Sequence, residues 1–193
     1  MPVSWTICAC QCMTLIMKLQ GNIRYIVISA FVAAIYVVAT VALGDLAYKE
    51  VQFRVAEVML FLVFIDPLYI PGLTLGCFIA NLFGPFGIID AVFGSIATVL
   101  ALCVMYLSGK LKINRYISLF IGSLGAVVFN AVYVPLLIIF TSPEIGRTFG
   151  AFWGIALSVG IGEFAVVSVA GVVLWGHILK KDSWVSVFKQ IRS

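Results

Sequence analysis

Charge is scarce in this chain. Aspartate, glutamate, lysine and arginine make up only 10% of its 193 residues, and hydrophobic residues reach 63%. A soluble domain carries about 25% charged residues and about 45–50% apolar ones. That shortage excludes a water-soluble globule, because too few polar side chains remain to cover its surface. No polar stretch is long enough to fold as a separate domain. No basic patch interleaved with aromatics points to nucleic acid. Period-two alternation between long polar loops is missing too, which excludes an outer-membrane barrel and leaves helices as the spanning element. Histidine is reduced to His177, at the inner end of the last apolar run, where an interfacial role is the plain reading. No nucleophile sits with a base, and no metal-ligand cluster is present. The approach to a phosphate loop at Gly109-Lys110 continues with Leu111 in place of Ser or Thr, so the chain does not hydrolyse ATP by itself. Catalysis is not expected, and no cofactor is expected to bind directly.

Cysteines number five, three of them in the run Cys8, Cys10 and Cys12. No second pair completes a zinc set, so metal binding is not the favoured reading. Cys77 and Cys103 fall in apolar runs and read as small packing residues. The segment before Met17 is unlike the rest, and Met17-Lys18 resembles an ordinary start. Residues 1–22 are expected to be a dispensable extension, 23–182 the membrane domain and 183–193 a cytoplasmic tail. A signal peptide is disfavoured, because no positive charge precedes its weak apolar stretch.

What is present is a series of apolar runs near the roughly 20 residues that cross a bilayer as helix. Ile23 to Leu43, Ile88 to Leu107, Tyr116 to Phe140 and Phe149 to Leu179 are clear. Between the first two lies Val55 to Phe83, broken by Asp66-Pro67 and Pro71-Gly72, each part short for a crossing at about 1.5 Å per residue. Charge parity constrains it. Lys18 and Arg24 precede the first run; Lys110, Lys112 and Arg115 follow the second clear one; Lys180, Lys181, Lys189 and Arg192 follow the last. Placing all three groups in the cytoplasm satisfies the positive-inside rule and requires an even number of crossings between Leu43 and Ile88. The expected fold is an all-α integral membrane protein: a six-helix bundle, multi-pass in the cell membrane, with both termini cytoplasmic and two short helices turning at Asp66-Pro67. Small residues suit close helix packing: Ala30, Ala33, Ala34 and Ala39 in the first run, and Gly146, Gly150 and Gly154 at four-residue spacing.

Few polar residues interrupt these runs, and they concentrate toward the expected external face. Glu163 is the most conspicuous, mid-span just after Gly160 and Gly162 in SVGIGEFAVV, two glycines expected to leave room beside it for a flat molecule. A carboxylate there costs about 2.5–3.5 kcal/mol, so a cation, a wet cavity or a hydrogen-bonding ligand must offset it. The structural alternative is a pair with Arg54, or a protonated acid bonded to Asn130. Asn130 and Asn81 suit recognition of a heterocycle edge and equally suit helix-to-helix bonding. Asp90 follows the GPFG turn and reads either as a helix cap or as a site residue. Arg54 and Glu57, three apart, can share a helix face and pair. An exposed pair stabilises by less than about 1 kcal/mol, so organising a pocket entrance with Gln52 is the better reason for it. Trp153, Tyr133, Phe129 and Phe53 are candidates for stacking.

The stretch VQFRVAEVML, followed by GCFIANLFGPFGIIDAVFGSIATVLA, resembles the QueT family of queuosine-precursor transporters. The resemblance spans Ala30 to Leu179. It implies a substrate-binding S component of an energy-coupling factor (ECF) importer, binding a 7-deazaguanine base or nucleoside (preQ1, queuine or queuosine) from outside. The implied partners are a transmembrane T component and two ATPase subunits that use the ATP. An A-x-x-x-A face on the first helix would meet the T component, and Ala30 and Ala34 match that spacing. Chemistry fits such a ligand: a carboxylate accepts two parallel N–H groups from a guanine-like edge, a role expected of Glu163. Asn130 or Asn81 would read the carbonyl or ring nitrogen, Gln52 and Arg54 would close the outer side, and an aromatic ring would stack on the base. The competing expectations are a proton-coupled secondary transporter with Glu163 as relay, and an S component for another small heterocyclic vitamin.

Overall fold

The computed structural model describes residues 23–44, 54–142, 148–181 and 186. Gln52, Phe53, Gly146, Arg147 and the segment 1–22 lie outside the described residues, as does nearly all of 183–193. Among those described, the chain is all-helical, in six rods. Helix α1 spans Ile23–Val41. A 3₁₀ helix covers Val55–Phe64. A short 3₁₀ turn, Pro67–Tyr69, leads into α2, Ile70–Leu82. Helices α3 and α4 are Gly87–Gly109 and Arg115–Thr141. The last rod begins as α5, Phe149–Glu163, widens into a π segment over Phe164–Gly171, and closes as α6, Val172–Ile178. Gly87–Gly109, Arg115–Thr141 and the rod Phe149–Ile178 are long and apolar enough to cross a membrane, while the rods ending at Val41, Phe64 and Leu82 are shorter.

Local chemistry places the breaks. Asp66 accepts a hydrogen bond from Leu68 N at 3.0 Å, with Pro67 at the first helical position, an arrangement that starts a helix. The helix break expected at Asp66-Pro67 is therefore present. Gly87 closes the Gly84–Gly87 turn at φ +55°, a left-handed value that favours glycine. Asn114 and Thr148 cap α4 and α5 with their side chains. Asp90 does not cap α3, contrary to one of its two expected readings. It sits inside the first turn with its side chain directed into the bundle, as described below.

The Val55–Phe64 stretch is helical but not α-helical, which changes its reach. At about 2.0 Å per residue, a 3₁₀ helix carries ten residues over about 20 Å instead of about 15 Å. Its three-residue period also sets one face directly above itself. Arg54, Glu57, Leu60 and Val63 follow that period and are all buried. The rod runs through the core, packing with Tyr36, Leu73, Leu102, Leu119 and Trp175. Trp175 donates its Nε1–H to Val58 O at 2.8 Å, tying the last rod to the 3₁₀ helix. Outward faces of the rods carry large exposed apolar side chains, among them Phe31, Val38, Phe93, Val128 and Ile161, as lipid contact requires.

Candidate functional site

Seven of the nine residues singled out as ligand contacts come together inside the bundle. Arg54, Glu57, Asn81, Asp90, Asn130 and Glu163 are each buried, and Tyr133 joins them from α4. They reach one place from five rods. Arg54 and Glu57 start the 3₁₀ helix, Asn81 ends α2 and Asp90 begins α3. Asn130 and Tyr133 lie on one side of α4, three residues apart. Glu163 comes from the end of α5, about 21 Å along that helix from Phe149.

Glu57 and Glu163 both converge on Asn130. Its Nδ2 lies 3.0 and 3.1 Å from the two Glu57 oxygens and 3.0 Å from Glu163 Oε1. Asp90 is gripped from the other side. Tyr133 donates its hydroxyl to Asp90 Oδ1 at 2.6 Å, and Asn81 Nδ2 donates to the Asp90 carbonyl at 3.2 Å. Arg54 bridges the two halves: Nη1 is 3.6 Å from Glu57 Oε1 and Nη2 is 3.8 Å from Asp90 Oδ2. The Arg54–Glu57 pair predicted from spacing is therefore real. It is a core pair, however, not an exposed one at a pocket mouth, because the eclipsed 3₁₀ face turns both residues inward.

The cluster is not closed upon itself. Among the described residues, Arg54 Nε, Arg54 Nη2 and Glu163 Oε2 are buried without a hydrogen-bond partner. Each such atom costs about 1–3 kcal/mol, more when charged. Three buried carboxyl groups also face a single guanidinium. Native cores seldom leave so many polar atoms unanswered, and unanswered atoms in a fold signal a functional demand. Among the described residues, no three His, Cys, Asp or Glu side chains group so as to hold a metal ion.

Other predicted residues are placed differently. Trp153 is half-exposed and stacks edge-on with Phe149 and Phe152 near the start of α5, well away from Glu163. Phe129 packs against the main core. Gly160, expected to leave a gap beside Glu163, has only Ala131 Cβ at 3.7 Å from where a side chain would start. Three contributors were missed: Cys77, Thr98 and Gly94. Cys77 accepts from Thr98 Oγ1 at 3.1 Å and stands 3.5 Å from Asn81 Nδ2, orienting that amide. Gly94 makes room: a Cβ there would collide with Asn81 Nδ2 and sit 3.1 Å from Asp90 Oδ1. Its position one turn after Asp90, on the same face of α3, is the signal that would have found it. Tyr133 meanwhile lines an apolar groove of about 450 Å³ with Ile89, Phe93, Leu136 and Phe140 between α3 and α4. That groove offers a polar ligand little beyond the tyrosine edge.

A buried polar cluster with unmet donors and acceptors, sunk into a lipid-facing bundle, suits a membrane carrier of polar solutes. The model of the QueT transporter family matches residues 26–180, most of the chain and all of this cluster. The chain belongs to the QueT transporter family. A curated relative, "Queuosine precursor transporter QueT" of Lactococcus lactis subsp. cremoris (strain MG1363), is 30% identical over 158 residues, covering 77% of this chain and 89% of the relative. No solved structure gives a significant match. As a QueT-family transporter, the protein is a membrane protein whose work is transport.

Proposed function

We propose that this QueT-family protein is the substrate-binding S component of an ECF-type importer in the cell membrane, and that it takes a queuosine precursor from the extracellular side. The ligand is a 7-deazaguanine base or its nucleoside. The observation that carries the reading is the buried cluster of Arg54, Glu57, Asn130 and Glu163, with donors and acceptors left open, in a chain similar to a queuosine precursor transporter. A guanine-like edge presents adjacent donors and acceptors to match such a set. In this reading the bundle crosses the membrane six times with both termini cytoplasmic, as the lysine and arginine distribution favours. The cluster then lies on the side of the Gly84–Gly87 turn, which faces outside.

Transport by such a component needs a T component and two ATPase subunits to supply ATP hydrolysis. Ala30 and Ala34 on α1 are the proposed T-component contact, and both are exposed on the bundle surface. The test is reconstitution. Purified protein alone is expected to bind a 7-deazaguanine ligand by calorimetry, and liposomes carrying it alone are expected to show no sustained uptake under any pH gradient. Uptake driven by a pH gradient without ATPase subunits would instead establish a proton-coupled carrier. Binding of an unrelated vitamin in place of a queuosine precursor would assign another substrate.

A further inference from the structure

Within the cluster, some donors and acceptors are already used by the protein and others remain. Asn130 Nδ2 is committed to Glu57 and Glu163. Asn81 Nδ2 is committed to the Asp90 carbonyl and Cys77. Both amide donors hold protein groups in place, so neither is free to read a ligand carbonyl. Arg54 is the opposite case. Its Nη1 faces Glu57, its Nη2 has Asp90 only at 3.8 Å, and neither Nη2 nor Nε makes a hydrogen bond. On the acceptor side the remaining atom is Glu163 Oε2. The chain Arg54–Glu57–Asn130–Glu163 thus has a spare donor edge at one end and a spare acceptor at the other.

Resting on the ligand class proposed above, we propose that Arg54 is the specificity residue for the ring carbonyl, with Glu163 Oε2 accepting from the adjacent ring N–H. A 7-deazaguanine edge carries a carbonyl, a ring N–H and an amine in a row. Arginine commonly takes guanine through its carbonyl and N7 together. The 7-deaza ring has carbon in place of N7, so Nε–H and Nη2–H both turn to the carbonyl oxygen, which has two lone pairs to receive them. An adenine-type edge inverts the pattern. Its amine would face the Arg54 donors and its bare ring nitrogen would face the Glu163 oxygen, leaving both groups unanswered in a buried site. The same pair therefore attracts one edge and rejects the other.

The test is calorimetry on the purified full chain with three probes: 7-deazaguanine, 7-deazaadenine and 6-thio-7-deazaguanine. The thio probe keeps the ring N–H and the amine but offers sulfur, a weak acceptor, where the carbonyl stood. Wild-type protein is expected to bind 7-deazaguanine at least 100-fold tighter than 7-deazaadenine and at least tenfold tighter than the thio probe. In Arg54→Lys, which keeps the charge beside Glu57 and Asp90 but loses the fork, the thio penalty is expected to fall below threefold. Equal binding of 7-deazaguanine and the thio probe by wild type overturns the inference whether or not the variant folds. So does a thio penalty that persists in Arg54→Lys. Binding of 7-deazaguanine without carbonyl dependence overturns this inference alone, whereas no binding of 7-deazaguanine overturns it together with the proposed ligand class.

Discussion

Arg54 is held by acids from two rods, Glu57 on its own and Asp90 on α3, and this sets what each neighbouring residue has to do. Asn81 and Tyr133 fix Asp90, Asn130 fixes Glu57 and Glu163, and Gly94 leaves the space in which Asn81 and Asp90 meet. Gly94→Ala is therefore expected to weaken ligand binding at least tenfold, about 1.4 kcal/mol, by displacing Asn81 and Asp90 together; calorimetry on the folded variant measures it. Much of this was legible in the residues. Glu163 stands out because a mid-span carboxylate has no apolar explanation, and Arg54–Glu57 follows from i, i+3 spacing. The partner of Asp90 was not legible, since Arg54, Asn81 and Tyr133 reach it from three other rods and only tertiary packing joins them. Trp153 was placed near the ligand by its aromatic character. A side chain's identity carries no direction, and each step along a helix turns about 100°.

At the scale of elements, the rods are joined by close backbone approaches that glycine permits. A Cβ on Gly72 would stand 2.7 Å from the Ser29 carbonyl, and one on Gly76 would stand 2.7 Å from Tyr36 Cβ. Both lie where α2 meets α1, and neither backbone can yield locally. Gly72→Ala and Gly76→Ala are each expected to destabilise by about 1–3 kcal/mol through overpacking, seen as a lower melting temperature in detergent. Among the described residues, Gly150→Ala and Gly154→Ala meet nothing within 4 Å and are expected to be neutral or to stabilise by up to about 1 kcal/mol through helix propensity. The four-residue glycine spacing in α5 suggested close packing, yet at Gly150 and Gly154 no described neighbour approaches. Spacing alone does not say which side of a helix has one. The end points of the long rods were readable from hydropathy to within a residue or two. The 3₁₀ character of Val55–Phe64 was not, because a stretch apolar but for Glu57 supports an α or a 3₁₀ helix equally well. The π widening after Glu163 left no mark in the apolar run FAVVSVAG either.

For the whole molecule, the membrane reading came directly from the shortage of charge, and the positions of lysine and arginine suggested its orientation. On the proposed function, the surface of α1 separates binding from coupling. Ala30 and Ala34 are exposed while Ala33 and Tyr36 face the core, so Ala34→Leu adds bulk outside the bundle without touching the buried cluster. Its ligand affinity is expected to stay within threefold of wild type while co-purification with the T component falls sharply; retention of the complex would remove the α1 face from that role. The central claim is that the buried acid at the end of α5 is satisfied by a visiting heterocycle. Glu163→Gln keeps size but replaces an acceptor with a donor facing the ligand's own donors. The most direct measurement is calorimetric titration of 7-deazaguanine into wild-type and Glu163→Gln protein, both verified as folded by size-exclusion. A tenfold or greater loss of affinity in the variant is the predicted result, and unchanged affinity would contradict the account.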